Sequence, residues 1–76
     1  MYHTLEFACD LVLDLIISHK QPLERLRVKK GSRVVAQVRP YVLDAGGVPF
    51  EVADLFFADG TSASGVRFEC FSFVEA

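Results

Sequence analysis

The stretch that decides the fold is RVVAQVRPYVLDAGGVPFEVADLFFADG, from Arg33 to Gly60. It contains two runs rich in β-branched and aromatic residues, and glycine-containing turns follow these runs at Ala45-Gly46-Gly47 and Asp59-Gly60. Runs and turns of this kind are typical of antiparallel β-hairpins. We therefore predict consecutive antiparallel strands at about residues 33–44, 48–58 and 64–74.

The segment before this stretch is predicted to be a helix over residues 4–19, because it contains no glycine or proline and Thr4 is a suitable N-cap. Its apolar residues recur at helical spacing, and its acids form a narrow polar stripe. The apolar set is Leu5, Phe7, Ala8, Leu11, Val12, Leu15 and Ile16, and the acidic set is Glu6, Asp10 and Asp14. A short basic strand at about 23–29 follows. The sequence thus predicts a single α+β domain over residues 1–76, with one N-terminal helix packed on a three- to four-stranded antiparallel meander sheet.

The loop lengths of the two hairpins decide which side chains share a face of the sheet. We assume three-residue loops at 45–47 and 59–61, because this register makes one face almost uniformly apolar, with Asp54 among its residues. The other face is amphipathic, and exposed apolar area of that kind indicates an interface. The candidate interface residues are Leu55, Phe57, Phe71 and Phe73. A two-residue first loop would instead place Asp54 on one face with Arg39 and Tyr41.

Composition favours association of the chain with itself. Of the 76 residues, 51% are hydrophobic and 12% aromatic, whereas a domain of this size buries only about 60% of its unfolded surface. We therefore expect a homodimer. The net charge is −2, and the basic segment from Lys20 to Arg33 has no interleaved aromatic residue to stack on bases, so nucleic acid is not the expected partner. A solvated edge strand explains the basic segment equally well.

Cysteine usage and hydropathy limit the other possibilities. Cys9 and Cys70 are too few for a disulfide framework and are predicted to be small buried apolar groups, with a Cys9–Cys70 disulfide or a catalytic thiol left open. The apolar run from Leu11 to Ile17 is interrupted by Asp14 and is too short to span a membrane. No signal peptide is recognisable. We therefore expect a cytoplasmic chain without membrane contact, and no metal or cofactor.

Asp54 is the main candidate for chemistry, because a carboxylate on an apolar face is the kind of group that acts as a general base. Tyr41 or Arg39 would then stabilise developing negative charge. The candidate ligand-binding residues are Arg39, Tyr41, Asp54, Phe57 and Phe71. The structural alternative is an Asp54 that pairs with an arginine or bonds to the backbone. No nucleotide-binding, hydrolase or zinc motif accompanies these residues.

Four segments carry a family resemblance: Val35-Ala36-Gln37-Val38-Arg39, Phe50-Glu51-Val52-Ala53-Asp54-Leu55-Phe56-Phe57, Asp59-Gly60 and Val66-Arg67-Phe68. With these segments, the chain from Arg33 to Val74 resembles the C-terminal half of SnoaL-like proteins, of the ketosteroid isomerase and nuclear transport factor superfamily. The resemblance implies long antiparallel strands and a small-ligand site. Members are longer and have further N-terminal helices, so a complete ligand-enclosing cone would need a second subunit here.

Three classes of function follow from these features. The first is a non-enzymatic homodimeric binding module that associates through the amphipathic face of the sheet. The second is a reduced SnoaL-like binder of a small molecule, or an enzyme that uses Asp54 as its general base. The third is an inhibitor or immunity-type protein that adds a strand to a larger protein partner or docks on it.

Overall fold

In the computed structural model, which describes residues 1–17 and 24–74, the chain forms one seven-stranded sheet in which all paired strands are antiparallel. The strands are β1 (His3–Phe7), β2 (Leu11–Ile17), β3 (Glu24–Val28), β4 (Arg33–Ala45), β5 (Val48–Phe57), β6 (Thr61–Arg67) and β7 (Phe71–Phe73). A single 3₁₀ turn, Phe68–Cys70, separates β6 from β7, within the stretch predicted as one strand. The order across the sheet is β3-β2-β6-β5-β4-β1-β7.

The predicted helix over residues 4–19 is wrong, and the α+β class with it, because these residues form β1 and β2. The antiparallel sheet itself is confirmed, but the prediction of a three- to four-stranded meander is wrong, because β1 and β2 add strands and β1–β2 and β6–β7 are not neighbours in the sheet. In β2 the side chains alternate between the two faces, so that Leu13 is 3% exposed and Val12 is 52% exposed. The run Leu11–Ile17 is apolar at every position except Asp14, and therefore fits a period of two as well as a helical period. The predicted helix end and the start of the predicted strand 23–29 fall in 18–23, outside the described residues.

Two short connections show that the sheet curls. β1 and β2 are separated in the sheet by three strands, yet only Ala8, Cys9 and Asp10 connect them. The 3₁₀ turn between β6 and β7 makes the same crossing. Connections this short require the two sides of the sheet to approach each other, so the chain forms a half-barrel with its core on the concave face. The core residues are Leu5, Phe7, Leu13, Leu15, Val28, Ala36, Ala53, Leu55, Ala63, Val66 and Phe71.

The β4–β5 hairpin has a two-residue loop, since Ala45 pairs with Val48. Gly46 and Gly47 have φ values of 62° and 84°, as a type I′ turn requires at both central positions. The register built on a three-residue loop at 45–47 is therefore wrong by one residue. This shift turns Asp54 to the convex face of the sheet and its neighbour Leu55 into the core.

The second hairpin contains a β-bulge. Its loop covers residues 58–60 rather than 59–61. Leu55 pairs with Ala63, but Ala53 pairs with Val66, so Asp54 faces two residues of β6 instead of one. One of the two is Gly65, whose φ of 69° suits glycine.

The structure also bears on the predictions for the cysteines and for membrane contact. Cys9 is exposed on the β1–β2 connection and Cys70 is half-buried, so the prediction of buried cysteines is wrong for Cys9. None of the described residues belongs to a helix that is long and apolar enough to cross a membrane.

Candidate functional site

Asp54 ties three strands together at the bulge. Its Oδ1 atom accepts one hydrogen bond from the Tyr41 hydroxyl at 2.9 Å and another from the backbone N–H of Gly65 at 3.1 Å. Tyr41 lies on β4, Asp54 on β5 and Gly65 on β6. A bulge removes backbone groups from the regular ladder, and an amide without a partner is unfavourable. The Asp54 carboxylate supplies the missing acceptor.

The Tyr41 hydroxyl acts as a donor in this cluster. Its hydrogen bond to Asp54 is the main reason that the pKa of Tyr41 is raised, and partial desolvation adds to the effect. The phenol therefore stays protonated and keeps donating to the carboxylate. The surface cavity between β2 and β6 is lined by Gly65 but by neither Tyr41 nor Asp54. These contacts match the structural alternative, a carboxylate bonded to the backbone, more closely than a base facing a substrate.

The sheet divides the predicted ligand-binding residues between its two faces. Arg39 is paired with Asp54 in the β4–β5 register, so it shares the convex face with Asp54 and Tyr41. Phe57 and Phe71 lie on the concave face, where Phe71 belongs to the core and Phe57 packs against it. The five residues do not line one site. Arg39, Tyr41 and Asp54 are nevertheless together, as the alternative with a two-residue loop requires.

The predicted interface residues are divided as well. Leu55 is fully buried in the core, and Phe71 is nearly so. Neither side chain is available to a partner protein. Phe73 is exposed on the edge strand β7, where its ring meets His3 with centroids 5.2 Å apart.

The feature that sequence reasoning missed is a protruding hairpin, residues 42–51, which we call the arm. β1 pairs with β4 only up to Ala36, and β6 pairs with β5 only from Val52 onward, so the arm extends past its neighbours on both sides. Three of its apolar side chains are strongly exposed: Val42 (61%), Leu43 (41%) and Val48 (65%). The sequence does carry a signal for the arm. Two apolar runs, Val42-Leu43 and Val48-Pro49-Phe50, flank Gly46-Gly47, and neither run alternates with polar residues as a half-buried strand would.

One face of the arm is continuous with the convex face of the sheet. Ala45 pairs with Val48, Leu43 with Phe50 and Tyr41 with Val52, so these side chains share a face. The guanidinium of Arg67 lies 4.8 Å from the centre of the Phe50 ring and forms an ion pair with Glu69 at 3.1 Å. We call this surface the arm face, and define it as Tyr41, Leu43, Ala45, Val48, Phe50 and Arg67. Aromatic and arginine side chains around apolar ones are typical of protein interfaces.

Prolines interrupt the two free strand edges of the β4–β5 hairpin, with Pro49 in the arm and Pro40 just before it on β4. Ala45 and Val48 flank a two-residue turn and exchange backbone hydrogen bonds. Because successive residues of a strand direct their backbone groups to opposite sides, Pro40 and Pro49 stand where an amide would point outward. Proline has no amide hydrogen, so neither edge offers a regular ladder to another strand.

The two edge strands of the sheet are also protected. β3 carries Arg25 and Arg27 and is followed by Lys29, all exposed, and Arg25 forms an ion pair with Asp14 at 3.5 Å. β7 has only three residues. Charged and very short edges discourage strand addition. The described edges therefore favour association through faces of the sheet.

A set of substitutions tests the structural role of Asp54. We expect Asp54→Ala to lower the free energy of unfolding by about 1–3 kcal/mol, because the Gly65 amide and the Tyr41 hydroxyl lose their acceptor. Asp54→Asn keeps an acceptor oxygen and should recover most of this loss. Tyr41→Phe removes only one of the two hydrogen bonds, and water can reach the freed carboxylate oxygen, so it should lower the free energy of unfolding by less than Asp54→Ala does. Urea denaturation measures the stability of all three variants. An Asp54→Ala variant as stable as the parent chain would contradict the structural role of Asp54.

Within residues 1–17 and 24–74, no group of three or more His, Cys, Asp or Glu side chains is placed to hold a metal ion.

Comparison with known proteins adds no family assignment. The resemblance to SnoaL-like proteins stays a prediction from the sequence. No family model, no curated protein and no solved structure matches the chain.

Proposed function

We propose that this chain is a non-enzymatic interaction module that works as a homodimer, with the arm face as its contact surface. The observation that carries the proposal is the arm itself, which extends past its neighbours with Leu43 and Val48 exposed on the arm face. A hairpin that protrudes with apolar side chains is unfavourable in water unless something covers it.

The surface area of the chain supports a second copy as the occupant. The accessible surface is 5477 Å², whereas a compact monomer of 8.5 kDa is expected to expose about 4,650 Å². The excess of roughly 800 Å² is close to the area that one partner buries in a standard protein interface. A second copy brings an identical arm face, so one isologous contact covers both arm faces.

The protected edges support the geometry of this contact. Pro40 and Pro49 hinder pairing along the free edges of the β4–β5 hairpin. Two copies would therefore pack arm face against arm face through side chains, instead of joining their strands into one continuous sheet. Tyr41 and Phe50 would supply aromatic surface at its centre, and Arg67 with its partner Glu69 would lie at the rim.

Sedimentation velocity over the micromolar range tests the proposal with two matched lysine substitutions. We expect the parent chain to be a dimer and Val48→Lys to weaken dimerisation at least tenfold, because it places a charge in the apolar contact. Val35→Lys is the control, since Val35 is exposed to a similar degree on the convex face of β4, at the end of that strand opposite the arm. It should leave the dimer unchanged.

Two results would overturn this proposal. A parent chain that stays monomeric at high micromolar concentration would leave the arm face for a different protein. A dimer that Val35→Lys weakens and Val48→Lys does not would place the contact where β4 pairs with β1, instead of on the arm.

A further inference from the structure

The two connections that close the half-barrel lie against each other, and each carries a cysteine. Phe7 pairs with Phe71, and the N–H of Ala8 donates to the carbonyl of Cys70 at 2.8 Å. Cys9 is the next residue of the β1–β2 connection after Ala8, so its thiol lies beside Cys70 and is close enough to raise the pKa of the Cys70 thiol. The fold thus joins two thiols that are separated by most of the chain.

The two cysteines differ in environment. Cys9 is exposed and Cys70 is half-buried. Burial is the main reason that the pKa of the Cys70 thiol is raised, and the neighbouring Cys9 thiol adds to it. A reagent in solution therefore meets Cys9 first, and Cys70 lies beside it, less accessible to the reagent. An accessible attacking thiol next to a less accessible resolving thiol is the usual arrangement of a redox-sensitive pair.

We propose that Cys9 and Cys70 form a modification site that a low-molecular-weight disulfide of the glutathione type oxidises to an intramolecular disulfide. The Cys9 thiolate attacks one sulfur of the small disulfide, whose S–S bond breaks and releases one small thiol. The Cys70 thiolate then attacks the Cys9 sulfur, and the mixed disulfide breaks to release the second small thiol. Two protein thiols are oxidised, the external disulfide is reduced to two thiols, and the two protons pass to these thiols.

The resulting bond would link the β1–β2 connection to the β6–β7 turn, the two places where the chain crosses between the sides of the half-barrel. It would enclose nearly the whole chain in one covalent loop. A disulfide that closes a long loop restricts the unfolded chain strongly. We therefore expect the oxidised protein to melt roughly 10 °C or more above the reduced protein.

The experiment incubates the reduced protein with oxidised glutathione and follows intact mass and thermal unfolding. We expect the parent chain to lose two hydrogen atoms without keeping an adduct, to gain the higher melting temperature and to return to the reduced values with a thiol reductant. Cys70→Ser should keep a glutathione adduct on Cys9, because no resolving thiol is present. Cys9→Ser should react slowly, because Cys70 is half-buried.

Three outcomes would overturn the proposal. The parent chain could keep a glutathione adduct, it could cross-link between copies, or it could form the internal bond without a rise in melting temperature. The first two outcomes exclude the intramolecular disulfide. The third outcome excludes that the disulfide stabilises the fold by linking the two connections. All three are read on the parent chain, so they do not depend on the folding of either serine variant.

Discussion

Leu13→Asp is expected to unfold the protein, whereas Val12→Asp, one residue away on the same strand, is expected to leave it folded. Leu13 is buried in the core and Val12 is exposed on the convex face. Removing the leucine forfeits about 2–3 kcal/mol of burial, and a carboxylate without a partner in the core costs several kcal/mol more. For 76 residues the whole stability is only about 4–11 kcal/mol. The substitution at Leu13 therefore removes most or all of it.

Far-UV circular dichroism and urea denaturation of the two aspartate variants measure this difference. The pair also separates the strand from the helix that the sequence suggested, in which Val12 lies on the apolar face. A chain that tolerates Leu13→Asp and unfolds with Val12→Asp would contradict β2 as the structure has it. Aspartate suits the comparison because it is too short to carry its charge from the core to solvent, as lysine does.

The helix was predicted over residues 4–19 for a reason that local sequence could not resolve. Asp14 alone interrupts the apolar run Leu11–Ile17, so helical and strand periods describe it equally well. What decides the matter is long-range pairing. β2 lies between β3 and β6, and its partners on β6 are about 45 residues away in the sequence. In the hairpin from Arg33 to Phe57, by contrast, the partners are local and the turn signal is strong, and the observed strands lie close to the predicted ones.

The candidate site was predictable in part. The two-residue loop was available from Gly46-Gly47, since two glycines are the residues that a type I′ turn prefers. A three-residue loop makes one face more uniformly apolar and is therefore the loop that hydrophobic patterning predicts, but it places Asp54 on the wrong face. The bond from Gly65 to Asp54 depends on the bulge. Glycine inside a strand indicates that such a bulge exists, but it does not say which residue opposite will satisfy it.

Leu55→Ala is expected to lower the free energy of unfolding by about 2–5 kcal/mol, because Leu55 is fully buried between its partners Val38 and Ala63. Leu43→Ala removes the same atoms from an exposed position of the arm face, and should change stability by less than about 1 kcal/mol. Urea denaturation at a protein concentration low enough for the parent chain to be monomeric gives both values. Equal losses from the two variants would contradict the burial of Leu55.

The same pair of leucines separates folding from association. Sedimentation should show that Leu43→Ala weakens the proposed dimer, since Leu43 pairs with Phe50 on the arm face. Leu55→Ala, in the molecules that remain folded, should dimerise like the parent chain, because its side chain does not reach the surface. A burial pattern shifted by one residue along β5 would predict the opposite for Leu55. The pair therefore tests the register of the hairpin and the position of the contact surface in one set of measurements.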